Sequence, residues 1–127
     1  MGVTAMGLDC FASRSLDDIE LTDEDERAFV EADLHLCGGF YSGGGSSFRG
    51  KVYSDLIAKL TDVYIWENLT PAQVRELSTR LDTYTPEQMV EASKDTTYPL
   101  ESTEECRSLQ MFFRICAERG LGLLAWG

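Results

Sequence analysis

The residues best equipped for chemistry lie in one stretch, Gly38-Gly39-Phe40-Tyr41-Ser42-Gly43-Gly44-Gly45-Ser46-Ser47-Phe48-Arg49-Gly50-Lys51. Five of the eleven glycines fall between positions 38 and 45, directly before an apolar pattern of helical period. A glycine-rich segment running into a helix offers free backbone N–H groups. Here Ser46 and Ser47 add hydroxyls, and Arg49 and Lys51 add cations, the equipment for holding a phosphate or carboxylate. Gly43, Gly44, Gly45, Ser46, Ser47, Arg49 and Lys51 are therefore the candidate ligand-binding residues for a small anion. Gly45 to Lys51 also spells the G-x-x-x-x-G-K of a phosphate-binding P-loop. Val52, however, occupies the place of the magnesium-binding Ser or Thr, and no apolar strand closing in Asp follows. The expectation is a generic anion site rather than a nucleotide hydrolase. The plainer alternative is a glycine loop whose Arg49 and Lys51 serve surface ion pairs.

Carboxylates are the second concentration of chemistry. Residues 17 to 33 hold nine acids and one base, Arg27, a net of −8 within a chain whose total is −11. Such a run is commonly a solvated helix face. The sharper expectation is a contact face for a basic partner, with Asp23, Glu24, Asp25 and Glu26 as the partner-binding candidates. In the extreme, the face would imitate nucleic-acid phosphates and inhibit a nucleic-acid-binding protein. Direct binding to nucleic acid or to an anionic membrane is not expected, because an acidic chain repels both.

Nucleophiles and metal ligands are sparse. Cys10, Cys37, Cys106 and Cys116 form no CxxC pair, and a zinc site would need them or His35 to converge from separate elements. They read as reduced and mostly buried thiols. His35, the one histidine, shares a face with Cys37 only if that segment is extended, and no third residue is available to orient its imidazole. No catalytic residue, metal or cofactor is expected.

The elements that must position these residues follow from local signals. Gly7 to Ser13 reads as a first strand, and Ser15 to Glu20 as a polar linker. Thr22 followed by Asp25 marks a helix start, running to about Asp33 with Gly38-Gly39 as a stop. Phe48, Val52, Tyr53, Leu56, Ile57 and Leu60 form an apolar stripe of helical period, which Val63-Tyr64-Ile65-Trp66 extends or follows as a short strand. Thr70-Pro71 and Thr85-Pro86, each followed by Gln two residues later, open helices over 71–81 and 86–93. Ser102 to Glu105 opens the last helix, Gly120 ends it, and Leu121 to Trp126 is a buried strand.

The class expected is α+β and helix-dominated, with about five helices packed around a small sheet formed by the N- and C-terminal strands. A length of 127 residues suits a single domain, with 1–5 as a disordered tail. Met1 to Ala5 lacks a basic leader, and no apolar run reaches the roughly 18 residues of a membrane span, so a soluble cytoplasmic protein is expected. Asn68-Leu69-Thr70 matches a glycosylation sequon, which has no consequence without secretion.

Met6-Gly7-Leu8-Asp9, Gly38-Gly39 followed by Ser47-Phe48-Arg49-Gly50-Lys51, and Cys116-Ala117-Glu118-Arg119-Gly120-Leu121-Gly122 together resemble a group of small uncharacterised bacterial and phage proteins. The resemblance spans nearly the whole domain from Met6. It implies a soluble microbial protein that starts effectively at Met6, and it brings no activity. The residues themselves point to a small non-enzymatic binding or regulatory protein, its partner either a protein or a small anionic ligand. The alternatives are an enzyme acting on a phosphorylated or anionic small molecule, and an acidic inhibitor of a nucleic-acid-binding protein.

Overall fold

The computed structural model describes residues 7–38 and 45–126. Along the chain run β1 (Asp9–Ser13), α1 (Asp23–Ala32), β2 (Ser47–Arg49), α2 (Gly50–Thr61), α3 (Pro71–Leu81), α4 (Pro86–Ser93), α5 (Thr103–Arg119) and β3 (Gly122–Trp126). Expectations for Met1–Ala5, Gly39, Gly43 and Gly44 lie outside the described residues.

Local chemistry sets the helix ends. The Thr22, Thr70 and Thr85 hydroxyls accept the backbone N–H groups of Asp25, Gln73 and Gln88, and those three side chains reach back to the capping residue's own N–H. Pro71 and Pro86 fit the first helical position because that N–H has no helical partner. Gly120, at φ 70°, takes the left-handed turn that ends α5. α1 ends where expected, at Ala32, but the stop is Asp33, left-handed at φ 53°, rather than Gly38. Asp tolerates that region because its short polar side chain can satisfy nearby backbone groups.

Five helices pack with a three-stranded antiparallel sheet, the α+β arrangement that the sequence pattern predicts, and the two terminal strands do pair. β1 is central in the order β2-β1-β3, with Cys10 opposite Phe48 on one side and Ala125 on the other. Alternation turns Cys10 and Ala12 toward the helices and Phe11 to the opposite face, where its ring lies 5.2 Å from that of Trp126. The core is aromatic at its centre. The Phe48 ring lies 4.8 Å from Phe112, 5.8 Å from Phe113 and 5.6 Å from Tyr53, all edge-on, and Phe29 of α1 meets Phe112 at 5.2 Å. One cluster thus joins β2, α1, α2 and α5.

Two expectations about the segments around α2 need correction. The helix read as starting at Phe48 begins at Gly50, and Ser47–Arg49 form β2 instead. Phe48 would reach the core in either conformation, so its periodicity cannot discriminate. The pairing of Cys10 with Phe48 and Phe11 with Ser47 decides for the strand. Gly50 is required at the strand-to-helix join, since a Cβ there would sit 2.6 Å from Cys10 Sγ and 2.7 Å from Leu8 Cδ2. Val63-Tyr64-Ile65-Trp66 neither extends α2 nor forms a strand, because Asp62, left-handed at φ 62°, ends the helix and the segment turns.

Asp25 departs from the expected acidic face most sharply, being 0% exposed. Its carboxylate accepts Arg14 Nε at 2.6 Å and Nη2 at 2.8 Å, Arg119 Nε at 2.7 Å and the Thr22 N–H at 3.0 Å. Burial alone would raise its pKa, and these donors overcome burial and hold the carboxyl well below the usual carboxylate range. Asp25 therefore ties the end of β1, the first turn of α1 and the last turn of α5 to one point. Asp25→Asn is expected to lower stability by about 3 kcal/mol at neutral pH, measured by denaturant unfolding, because it leaves two guanidinium groups facing a neutral amide. Since the folded-state pKa is depressed, the wild-type contribution is complete above the unfolded carboxyl value of about 4 and fades as the pH falls below it. The variant should lose less stability than wild type over that acid range.

Candidate functional site

Two surfaces merit a chemical reading, the join between the glycine stretch and α2, and the acidic segment that leads into α1. At the join, strand pairing and packing occupy much of the backbone. Ser46 accepts the Ala12 N–H through its carbonyl at 3.0 Å, and Ser47 is buried in β2. The Arg49 N–H donates to the Cys37 carbonyl at 2.7 Å, and the Lys51 N–H to the Leu8 carbonyl at 3.4 Å. These two donors, which an anion cradle would use, thus already have partners. Arg49 extends toward Asp9, with 3.9 Å between Nη1 and Oδ1, and Lys51 Nζ lies 6.0 Å from the centre of the Tyr98 ring. The two cations consequently have different neighbours among the described residues.

The acidic segment is better organised than a solvated run needs to be. The buried Ser13 hydroxyl accepts the N–H groups of Ser15 at 3.1 Å and Glu20 at 2.9 Å and donates to the Asp18 carbonyl at 2.7 Å. The Arg14 N–H adds a bond to the Glu20 carbonyl at 2.8 Å. One hydroxyl therefore holds the loop that carries Asp17, Asp18 and Glu20. Beyond it, Asp23, Glu24 and Glu26 are exposed around the first turn of α1, while Asp25 points inward. Among the described residues, none of these three exposed acids has a cation within salt-bridge distance.

No hydrogen bond joins His35 and Cys37 among the described residues. The His35 N–H donates to Ser108 Oγ at 2.9 Å, and its Nε2 lies 3.5 Å from Asp33 and 3.8 Å from Glu104. The Cys37 N–H donates instead to Tyr53 Oη at 2.7 Å, and that hydroxyl donates to Glu105. Burial pushes the Tyr53 phenol far above its ordinary value; the Cys37 N–H opposes that rise, and Glu105 adds to it. Burial likewise pushes up the Cys10 and Cys116 thiols, helped by the charges of Asp9 and Asp25 respectively, and raises Cys106 to about 11 with help from Glu105 and Glu87. All three remain thiols at neutral pH, unsuited to nucleophilic attack. No group of three His, Cys, Asp or Glu that could hold a metal ion occurs among the described residues, and no described helix is long and apolar enough to cross a membrane.

One concave surface has no counterpart in the sequence reading. A cleft of about 430 Å³ opens between the turn after α2 and the start of α3, lined by Asp62, Tyr64, Glu67, Leu69 and Glu76 among others. The acids there are too thinly spread along the chain to register as a run. An exposed aromatic between carboxylates, Asp62-x-Tyr64-x-x-Glu67, is the one signal that could have drawn notice.

Cys37 is exposed and the other three cysteines are buried, so a thiol reagent should modify one cysteine rapidly in the native protein and the remaining three only after denaturation. A titre of two or more fast thiols would contradict this placement. Comparison of the chain with protein-family models, with curated proteins and with solved structures returns no match.

Proposed function

We propose that this is a small non-enzymatic binding or regulatory protein whose acidic surface, formed by the 17–20 loop and the first turn of α1, contacts a basic protein partner. The observation that carries the reading is the division of labour among adjacent acids: Asp25 is buried against two arginines, while Asp23, Glu24 and Glu26 face solvent. A buried anchor inside an acidic run fixes the direction of its exposed neighbours. Pre-ordered charge costs less to organise on binding and steers a cationic surface toward it.

A partner fitting this surface carries clustered Lys or Arg, and a nucleic-acid-binding protein is one such class. An enzyme reading built on the glycine join receives less support, because the Arg49 and Lys51 N–H groups are engaged and the three buried thiols stay protonated. Binding should be measured by interferometry against a panel of purified basic nucleic-acid-binding proteins. The expected result is association that slows as salt rises and weakens by roughly tenfold in the triple variant Asp23→Asn, Glu24→Gln, Glu26→Gln, with the unfolding midpoint little changed. Binding that is insensitive to both salt and the triple variant would remove the acidic surface from consideration.

A further inference from the structure

The cleft beside α3 has the chemistry of a receptor for one cationic side chain. Tyr64 forms a wall with 60% of its surface exposed, while Leu69, 4% exposed, and the half-buried Val63 supply apolar contact. Asp62, Glu67 and Glu76 surround them; Glu76 already pairs with Arg80 at 2.8 Å and Asp62 accepts the Tyr64 hydroxyl at 3.4 Å, which leaves Glu67 as the uncommitted carboxylate among the described residues. An exposed ring framed by carboxylates over an apolar base suits a guanidinium or ammonium group on an alkyl stem. The ring face attracts the cation, Glu67 accepts its N–H groups, and the base covers the methylenes.

The cleft is held open by contacts made elsewhere. Leu69 and Leu123 exchange backbone hydrogen bonds at 2.9 and 3.0 Å, which pins the turn to the edge of β3. Arg80 donates to the Thr61 carbonyl at 2.7 Å and pairs with Glu76 at 2.8 Å, joining α3 to the end of α2. Glu67 has no cation within salt-bridge distance among the described residues. The cleft also adjoins the acidic loop, because Asn68 Nδ2 donates to the Leu16 carbonyl at 3.4 Å, one residue before Asp17. That bond places the loop that carries Asp17 beside the cleft.

We infer that the cleft receives an arginine side chain from an extended basic segment of the partner, whose remaining cations lie along the acidic loop and α1. This deepens the proposed acidic contact surface and rests on it for the sign of the partner's charge. Charge complementarity and continuity with the acidic loop select this occupant over an apolar one.

The test is an amide NMR titration with the end-blocked heptapeptide Gly-Arg-Gly-Arg-Gly-Arg-Gly, with glutamine in place of arginine as the control. The expected result is saturable shifts of amides 62–69 with the arginine peptide alone. Tyr64→Ala should weaken binding about three- to fivefold, and Glu67→Gln should weaken it as well. Shifts confined to α1, with both cleft variants binding like wild type, would overturn the cleft while leaving the acidic-surface reading intact. A cleft response unchanged by the α1 triple variant would uphold the cleft and remove α1. Absence of any saturable response to the arginine peptide would overturn the inference outright.

Discussion

Asp25 has no exposed surface, yet it remains ionised because two arginines, 11 and 94 residues away in sequence, deliver three hydrogen bonds to it. An isolated carboxylate in that position would be costly, and the donors convert the cost into a geometric requirement. α1 cannot leave the body without separating those charges. The same carboxylate closes the capping box with Thr22, so helix initiation and tertiary docking depend on one side chain. Phe29 is the one apolar residue of that helix in the fully buried core, with Ala28 and Ala32 packed beside it.

That anchoring gives the charge distribution its meaning. A flexible acidic run spreads its field over many conformations, whereas Ser13 and Asp25 hold residues 15–26 at two points from inside the fold. The exposed carboxylates then form a fixed surface whose field decays over about 10 Å at ordinary salt. The Leu16 to Asn68 contact joins it to the cleft at Tyr64. In the complex we propose, a basic segment would meet preformed carboxylates at one end and the Tyr64 ring at the other.

What the sequence disclosed follows from the range of the forces involved. Thr70-Pro71, Thr85-Pro86 and Gly120 announce helix boundaries because capping is settled within a few residues, and the helices at 71–81 and 86–93 match those signals. The terminal strands were legible from apolar runs that no single helix could bury. β2 was not, since Phe48 satisfies the helical stripe equally well and only its partner Cys10 discriminates. The Thr22 to Asp25 spacing marked a capping box, but nothing near Asp25 foretold Arg119. The candidate site divided likewise. Asp23, Glu24 and Glu26 lie on a surface as their composition suggests, whereas the pairing of the Arg49 and Lys51 N–H groups with the Cys37 and Leu8 carbonyls has no local signal in the glycine join.

A fixed acidic surface spanning α1 and the cleft can be tested without any partner by comparing the paramagnetic relaxation of backbone amides caused by cationic and anionic nitroxide cosolutes. The cationic probe should dominate at residues 23–26 and 62–69, with a contrast that shrinks as salt is raised. A ratio that is uniform over the protein, or that favours the anionic probe at those residues, would contradict it.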